Sequence, residues 1–83
     1  MTYKIDWSLH ATEGFVKLER KVQERIMAKL EEAAENPKHY FSKLTGCEEH
    51  KLRIGDYRLV ALVLHSQERI VVEKIGHRRN IYK

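Results

Sequence analysis

The sequence is poor in residues that cross-link a chain or embed it in a membrane. It has one cysteine, Cys47, in 83 residues, which excludes an internal disulfide, and a small domain without disulfides is typical of a reducing compartment. The longest purely apolar run, residues 59–64, is far shorter than the roughly 20 residues that cross a bilayer as a helix. The N-terminus has no charged start followed by an apolar stretch, so no signal peptide is predicted. We therefore expect one domain over residues 1–83, located in the cytoplasm and away from membranes.

Acidic side chains are scarce in the C-terminal half. Residues 1–41 carry seven basic and seven acidic side chains, whereas residues 42–83 carry nine basic and five acidic ones. The whole net charge of +4 therefore lies in the second half, and residues 77–83 contain no acidic side chain. This asymmetry favours a polyanionic partner such as nucleic acid, although a basic surface also serves solubility alone.

The N-terminal half is predicted to form a strand and two helices. Residues 2–7 alternate between apolar and polar side chains, which is typical of a strand. Ser8 is a suitable N-cap for a helical hairpin over residues 9–36, and Pro37 ends that hairpin because proline disfavours helical geometry in the residue before it. Apolar residues at helical spacing mark the second helix: Val22, Ile26, Leu30 and Ala33.

The C-terminal half is predicted to form three strands. Residues 50–54 alternate, and residues 57–65 are apolar on both faces apart from Arg58, as in a central strand. Residues 69–75 form the last strand, which Gly76 is expected to end. The expected fold class is therefore α+β, with an N-terminal strand, a helical hairpin and a three-stranded antiparallel meander whose helices pack on one face.

The sequence lacks the usual motifs of metal and nucleophile chemistry. Its five histidines and Cys47 show no paired-ligand spacing, so neither a metal site nor a cofactor is expected. Cys47 beside His50 is more typical of a structural cysteine in a loop than of a nucleophile. There is no Gly-rich phosphate loop, no nucleophile elbow and no zinc-protease motif.

Cationic side chains are concentrated on neighbouring strands of the predicted meander. Lys51 and Arg53 point the same way on one strand. Arg58 begins the next strand and Arg78 follows the third, so the meander brings these cations towards one face. Arginine binds phosphate with two parallel hydrogen bonds and stabilises the charge of a phosphoryl transition state. The alternative interpretation is a solvated basic face whose long side chains cover apolar surface.

Two segments resemble the RelE/ParE toxin superfamily. Residues 52–60 read LRIGDYRLV and residues 75–82 read IGHRRNIY, and in that superfamily such segments occur together at this separation. The LTG sequence at residues 44–46 fits the same pattern, and the resemblance covers essentially the whole chain. It implies a toxin of a type II toxin–antitoxin system. RelE-like members of the superfamily cleave mRNA in the ribosomal A site, whereas ParE-like members poison DNA gyrase.

The resemblance implies the RelE-like branch, because most of its site residues have counterparts here. Arg58 matches the arginine that contacts the scissile phosphate, Arg78 the arginine after the last strand, and Tyr82 the tyrosine that stacks on a nucleotide. Lys51 matches one of two lysines on the preceding strand, and Glu49 replaces the other. The predicted catalytic residues are Lys51, Arg58, Arg78 and Tyr82, and the predicted RNA-binding residues are Arg53, His77 and Arg79.

The implied chemistry is a transesterification that needs no metal. The 2′-hydroxyl of the message attacks its own 3′ phosphate, the 5′ oxygen leaves, and a 2′,3′-cyclic phosphate results. A lysine is a poor base at neutral pH unless nearby cations lower its pKa. The general base therefore stays open between Lys51, Glu49 and His77.

The implied partners are the ribosome with its mRNA and a RelB-like antitoxin that forms a hetero-oligomer with the toxin. Exposed apolar residues of the central strand, such as Val60, Leu62 or Leu64, are expected to receive the antitoxin. The alternative is that these residues pack on the protein's own helices. Two other functions stay open. A ParE-like gyrase inhibitor needs no basic and aromatic site, and a non-catalytic RNA-binding module shows salt-dependent affinity without cleavage.

Overall fold

A five-stranded sheet carries helices on one face, and the computed structural model describes residues 2–43, 49–77 and 79. The elements in chain order are β1 (Lys4–Trp7), α1 (Leu9–Val16), α2 (Arg20–Glu35), α3 (Pro37–Tyr40), β2 (Ser42–Lys43), β3 (Glu49–Ile54), β4 (Tyr57–Leu64) and β5 (Arg69–His77). The strand order is β1-β5-β4-β3-β2, with β1 parallel to β5 and the other neighbours antiparallel. This arrangement confirms the expected strand, helical hairpin and antiparallel meander. No described helix is both long and apolar enough to span a bilayer.

Ser8 begins the first helix as predicted and also ties it to the sheet. Its Oγ accepts a hydrogen bond from the Ala11 amide at 3.0 Å, which satisfies one of the free N–H groups at the helix start. The same hydroxyl donates to the Glu73 carbonyl of β5 at 2.9 Å. The sequence therefore sets both the start of α1 and its attachment to β5.

The core lies between the helices and one face of the sheet. The spacing of apolar residues in α2 is confirmed, because Ile26, Leu30, Ala33 and Ala34 are buried. Tyr3, just before β1, and Ile5 and Trp7 of β1 pack against this core. Helix α1 approaches the sheet closely, since a Cβ placed on Gly14 would lie 3.0 Å from the Ile75 carbonyl oxygen.

Some predicted boundaries are wrong. Strand β5 continues through Gly76 to His77, because Gly76 keeps its place in the ladder opposite Arg58. His65 begins a 3-10 turn (His65–Gln67) instead of ending β4. Helix α2 does end before Pro37, as predicted, but the proline then begins α3. Neither α3 nor β2 was predicted, since each is too short to show a periodicity.

A β-bulge lies between β4 and β5. Val60 pairs with Lys74, whereas Ala61 pairs with Val72, so Glu73 is an extra residue on β5. Val72 and Ile75 both belong to the core although they are three positions apart. The bulge therefore turns Glu73 and Lys74 together towards the side away from the helices.

Candidate functional site

The sheet face turned away from the helices carries a cluster of charged side chains. Leu52 and Leu59 belong to the core, so their strand neighbours Lys51, Arg53 and Arg58 point to the opposite side. We call this surface the open face, and its central charged residues are Glu49, Lys51, Arg53, Arg58, Glu73 and Lys74.

Two arginines stand directly opposite each other on the open face. Arg53 of β3 is the cross-strand partner of Arg58 on β4, and like charges in such a pair destabilise a sheet. The ion pairs among the described residues are Arg20–Glu24 and Arg69–Asp6, so neither Arg53 nor Arg58 is neutralised by a described carboxylate. The pair leaves concentrated positive charge that an anion would compensate.

The turn that precedes Arg58 orients its guanidinium group. Its Nη1 atom donates to the carbonyl oxygens of Gly55 at 3.5 Å and Tyr57 at 3.4 Å. Bonds of this length are weak, so they orient the guanidinium without consuming its other donors. Gly55 adopts φ +59° in this turn, a conformation that glycine reaches without strain. The predicted glycine turn therefore positions the predicted phosphate ligand.

Lys51 is exposed and lies opposite Val60, which in turn lies opposite Lys74. Val60 is fully buried although it is on the open face. The expectation that Val60 is exposed is therefore wrong, and its two lysine neighbours explain why, since aliphatic stems of lysine cover apolar surface.

Glu49 and Glu73 form a carboxyl pair on the open face. A hydrogen bond to Glu49 raises the pKa of the Glu73 carboxyl above its ordinary value, and burial and the charge of Glu49 raise it further, while Lys74 acts in the opposite direction. The Oε1 atom of Glu73 is shielded from solvent. Sequence reasoning missed Glu73. The available signal was the three-residue spacing between Val72 and Ile75, which indicates a bulge.

His77 is not on the open face with Lys51 and Arg58. It lies opposite Tyr57, and the two rings meet edge to face with centroids 5.6 Å apart. The Arg79 amide donates to His77 Nδ1 at 3.2 Å. The Arg79 side chain is exposed.

The remaining predicted residues lie outside the described part of the chain: Arg78, Tyr82, Cys47 and residues 44–46. Within residues 2–43, 49–77 and 79, no group of three or more His, Cys, Asp or Glu residues is placed to hold a metal ion.

Comparison with known proteins decides the family. The family profile described as the ParE toxin of the type II toxin–antitoxin system parDE matches residues 5–82. The chain belongs to this toxin family. The mRNA interferase toxin RelE of Escherichia coli K12 is 35% identical over 81 residues, which cover 94% of this chain and 85% of that protein.

Solved structures agree with this membership of the ParE toxin family. A chain of the intact E. coli RelBE toxin–antitoxin complex has a TM-score of 0.76 at 31% identity, covering 90% of this toxin and 95% of that chain. A chain of the RelBE2 toxin–antitoxin complex of Mycobacterium tuberculosis has a TM-score of 0.84 at 16% identity. The match covers 96% of this toxin and 95% of that chain, and it shows the shared fold. The resemblance to the RelE/ParE superfamily is confirmed, and the protein is a RelE-like toxin of a toxin–antitoxin system.

Proposed function

We propose that this toxin is an endoribonuclease that cleaves mRNA in the ribosomal A site and thereby stops translation. The observation that carries the proposal is the uncompensated Arg53–Arg58 pair on the open face, with Lys51 beside it on β3. It is supported by 35% identity to a protein named mRNA interferase toxin RelE.

In the proposed reaction, Glu49 takes the proton of the 2′-hydroxyl as its oxygen attacks the adjacent phosphorus. Glu73 stands beside Glu49 on the open face, and the interaction between the two carboxyls raises the pKa of Glu73. Arg58 and Lys51 stabilise the extra negative charge of the phosphorane. The P–O5′ bond then breaks, leaving a 2′,3′-cyclic phosphate and, after protonation of the leaving oxygen, a 5′-hydroxyl.

The C-terminal residues complete the proposed site. Arg78 is assigned a second phosphate contact, Tyr82 a stacking contact with a base, and Arg53 and Arg79 contacts with RNA along its path. His77, which faces Tyr57 on the other side of the sheet, is left out of the proposed site. No step in this reaction uses a metal ion. Analysis of the product ends of ribosome-dependent cleavage for a 2′,3′-cyclic phosphate tests the chemistry. Products with a 3′-hydroxyl would contradict it.

The proposed partner is a RelB-like antitoxin that forms a hetero-oligomer with the toxin in the cytoplasm. Similar chains occur in complexes named RelBE. Leu62 and Leu64 are half-buried on the open face and offer apolar contacts beside its charges. An antitoxin segment bound there would cover Lys51 and Arg58. Co-purification with the antitoxin, and loss of binding in Leu62→Asp, test this contact.

Inhibition of DNA gyrase is the second candidate, because the family profile that matches the chain is named for ParE. A gyrase inhibitor does not depend on the Arg53–Arg58 pair. Supercoiling assays with wild type and Arg58→Ala separate the two functions. Inhibition of gyrase by both proteins, without mRNA cleavage by either, would favour the second candidate.

A further inference from the structure

A second cationic site lies at the edge of the sheet, between α2 and the turn that joins β3 to β4. It is an open cleft of about 340 Å³, and its charged lining consists of Arg25 and Lys29 from α2, Arg53 from β3 and one carboxylate, Glu32. Three positive side chains therefore face one negative side chain around a volume large enough for a ligand group.

The cations of this cleft are not neutralised by described carboxylates. Neither Arg25, Lys29 nor Arg53 takes part in the two ion pairs found among the described residues. Glu32 is already engaged, because its Oε1 accepts a hydrogen bond from the Tyr40 hydroxyl. Lys29 Nζ lies 4.8 Å above the Tyr40 ring, an arrangement that retains the charge of the ammonium group.

The turn glycine shapes the cleft. A Cβ on Gly55 would lie 2.8 Å from Arg25 Nη2, so the guanidinium of Arg25 rests against the bare backbone of the turn. Strand β2 pairs with β3 only at His50 and Lys51 in the described part of the chain, so the edge of β3 beside the turn is left uncovered. The cleft thus opens at the end of β3.

Arg53 connects this cleft to the open face. It lines the cleft, and it is also the cross-strand partner of Arg58. An RNA strand held at Arg58 would meet Arg53 next and then Arg25 and Lys29, which places cations along the path of successive phosphates. Arginine guanidinium groups and lysine ammonium groups both bind phosphodiester oxygens.

We propose that the cleft of Arg25, Lys29 and Arg53 binds backbone phosphates of the RNA that occupies the open face. The proposal rests on the proposed function and extends it, because it assigns a second contact away from the reacting phosphate. An acidic protein segment is the competing occupant. RNA is favoured over an acidic protein segment, because Arg53 lines the cleft and also lies on the open face beside Arg58.

Salt-dependent binding tests the cleft separately from the chemistry. The probe is a short labelled 2′-O-methyl RNA, which cannot be cleaved through its 2′ oxygen, and binding to the whole toxin is measured by fluorescence anisotropy over a range of salt concentrations. Each phosphate contact on a single strand contributes about 0.7 to the slope of log K against log salt. The double variant Arg25→Gln/Lys29→Gln should therefore lower the magnitude of the slope by about 1.4.

The matched control is Arg20→Gln/Lys21→Gln, which removes one arginine and one lysine from the exposed first turn of the same helix. It should keep the wild-type slope. Arg25→Lys retains the charge and should also keep the slope. If the double variant does not fold, the single variant Arg25→Gln makes a smaller change, keeps the cleft testable and should lower the magnitude of the slope by about 0.7.

Three results would overturn the proposal. They are a double variant with the wild-type slope, an equal loss in the control, or loss of affinity for a Glu-rich peptide with unchanged RNA binding. The proposed function is judged independently, by cleavage of mRNA on ribosomes with the wild-type toxin. Cleavage by wild type together with an unchanged slope in the double variant would reject the cleft alone.

Discussion

Glu73 of β5 interacts with Glu49 of β3 across the central strand β4, and this interaction raises the pKa of the Glu73 carboxyl. Two nearby carboxylates repel each other, and this repulsion favours the protonated form of Glu73. The pair lies beside Lys51, on the face where the arginines meet. A proton-binding group is thus built into the proposed site.

We expect Glu73→Gln to remove a pH dependence of stability. The folded protein holds the Glu73 proton at a pKa above the ordinary value of 4.5, so it binds more protons than the unfolded chain in the window above pH 4.5. Wild type should lose stability as pH rises from 4.5 through the raised pKa, and Glu73→Gln should lose less. At neutral pH the variant should also be more stable than wild type, because it removes the repulsion between the two carboxylates.

Urea unfolding at a series of pH values measures this difference. The control is Glu31→Gln, which neutralises an exposed carboxylate of α2. It should follow the wild-type pH dependence. A Glu73→Gln protein that parallels wild type from pH 4 to pH 8 would contradict the raised pKa of Glu73.

Arg58→Ala should abolish most cleavage and leave the fold intact. The loss of one charge-assisted contact to the developing charge costs about 2.7–4 kcal/mol, or two to three decades in rate. Little packing is lost, since Arg58 is on the open face and contacts turn carbonyls only weakly. Ribosome-dependent cleavage rates and thermal melting of the same protein provide the measurement.

Arg20→Ala is the matched control for Arg58→Ala, because Arg20 is an exposed arginine in a surface ion pair. Its cleavage rate should equal that of wild type. Cleavage by Arg58→Ala within threefold of wild type would exclude Arg58 from phosphate binding.

Tyr82 is predicted to stack on a base, which is worth roughly 1–3 kcal/mol by alanine substitution. Tyr82→Ala should lower cleavage without a fall in melting temperature. Tyr82→Phe keeps the stacking surface and should retain most of the activity. If Tyr82→Phe loses as much activity as Tyr82→Ala, the hydroxyl transfers a proton. If Tyr82→Ala also melts early, the ring is structural.

Gly14→Ala should destabilise the protein although alanine favours helices. The helix gains about 1 kcal/mol from the substitution. The new Cβ would lie 3.0 Å from the Ile75 carbonyl oxygen, a backbone atom that cannot rotate away, and overpacking of this kind costs about 1–3 kcal/mol. We expect a net loss of about 1 kcal/mol in the free energy of unfolding. Glu13→Ala, at the exposed neighbouring position, should stay within about 0.5 kcal/mol of wild type; a gain in stability for Gly14→Ala would contradict the close approach.

The architecture was predictable because its signals are local. Ser8 as a cap, the apolar spacing of α2 and the Gly55 turn each depend on a few adjacent residues, and all were confirmed. The end of β5 was not predictable in this way. Gly76 stays in the strand because the ladder opposite Arg58 holds it, which is a tertiary effect.

The candidate site was only partly predictable, for a related reason. Strand alternation placed Lys51, Arg53 and Arg58 on one face correctly. The Glu49–Glu73 pair depends on a bulge that breaks alternation, and the cleft of Arg25 and Lys29 depends on how a helix crosses a turn. The spacing of Val72 and Ile75 marks the bulge, but the partner that it brings to Glu73 and the crossing of α2 over the turn are set by tertiary packing.

Primer extension on a message that is being translated, with and without the purified toxin, tests the central claim most directly. The proposed function predicts new mRNA ends at codons in the ribosomal A site for wild type, and none when ribosomes are absent or Arg58→Ala is used. A gyrase supercoiling assay run in parallel should show no inhibition. Intact mRNA on translating ribosomes, together with inhibited gyrase, would contradict the account.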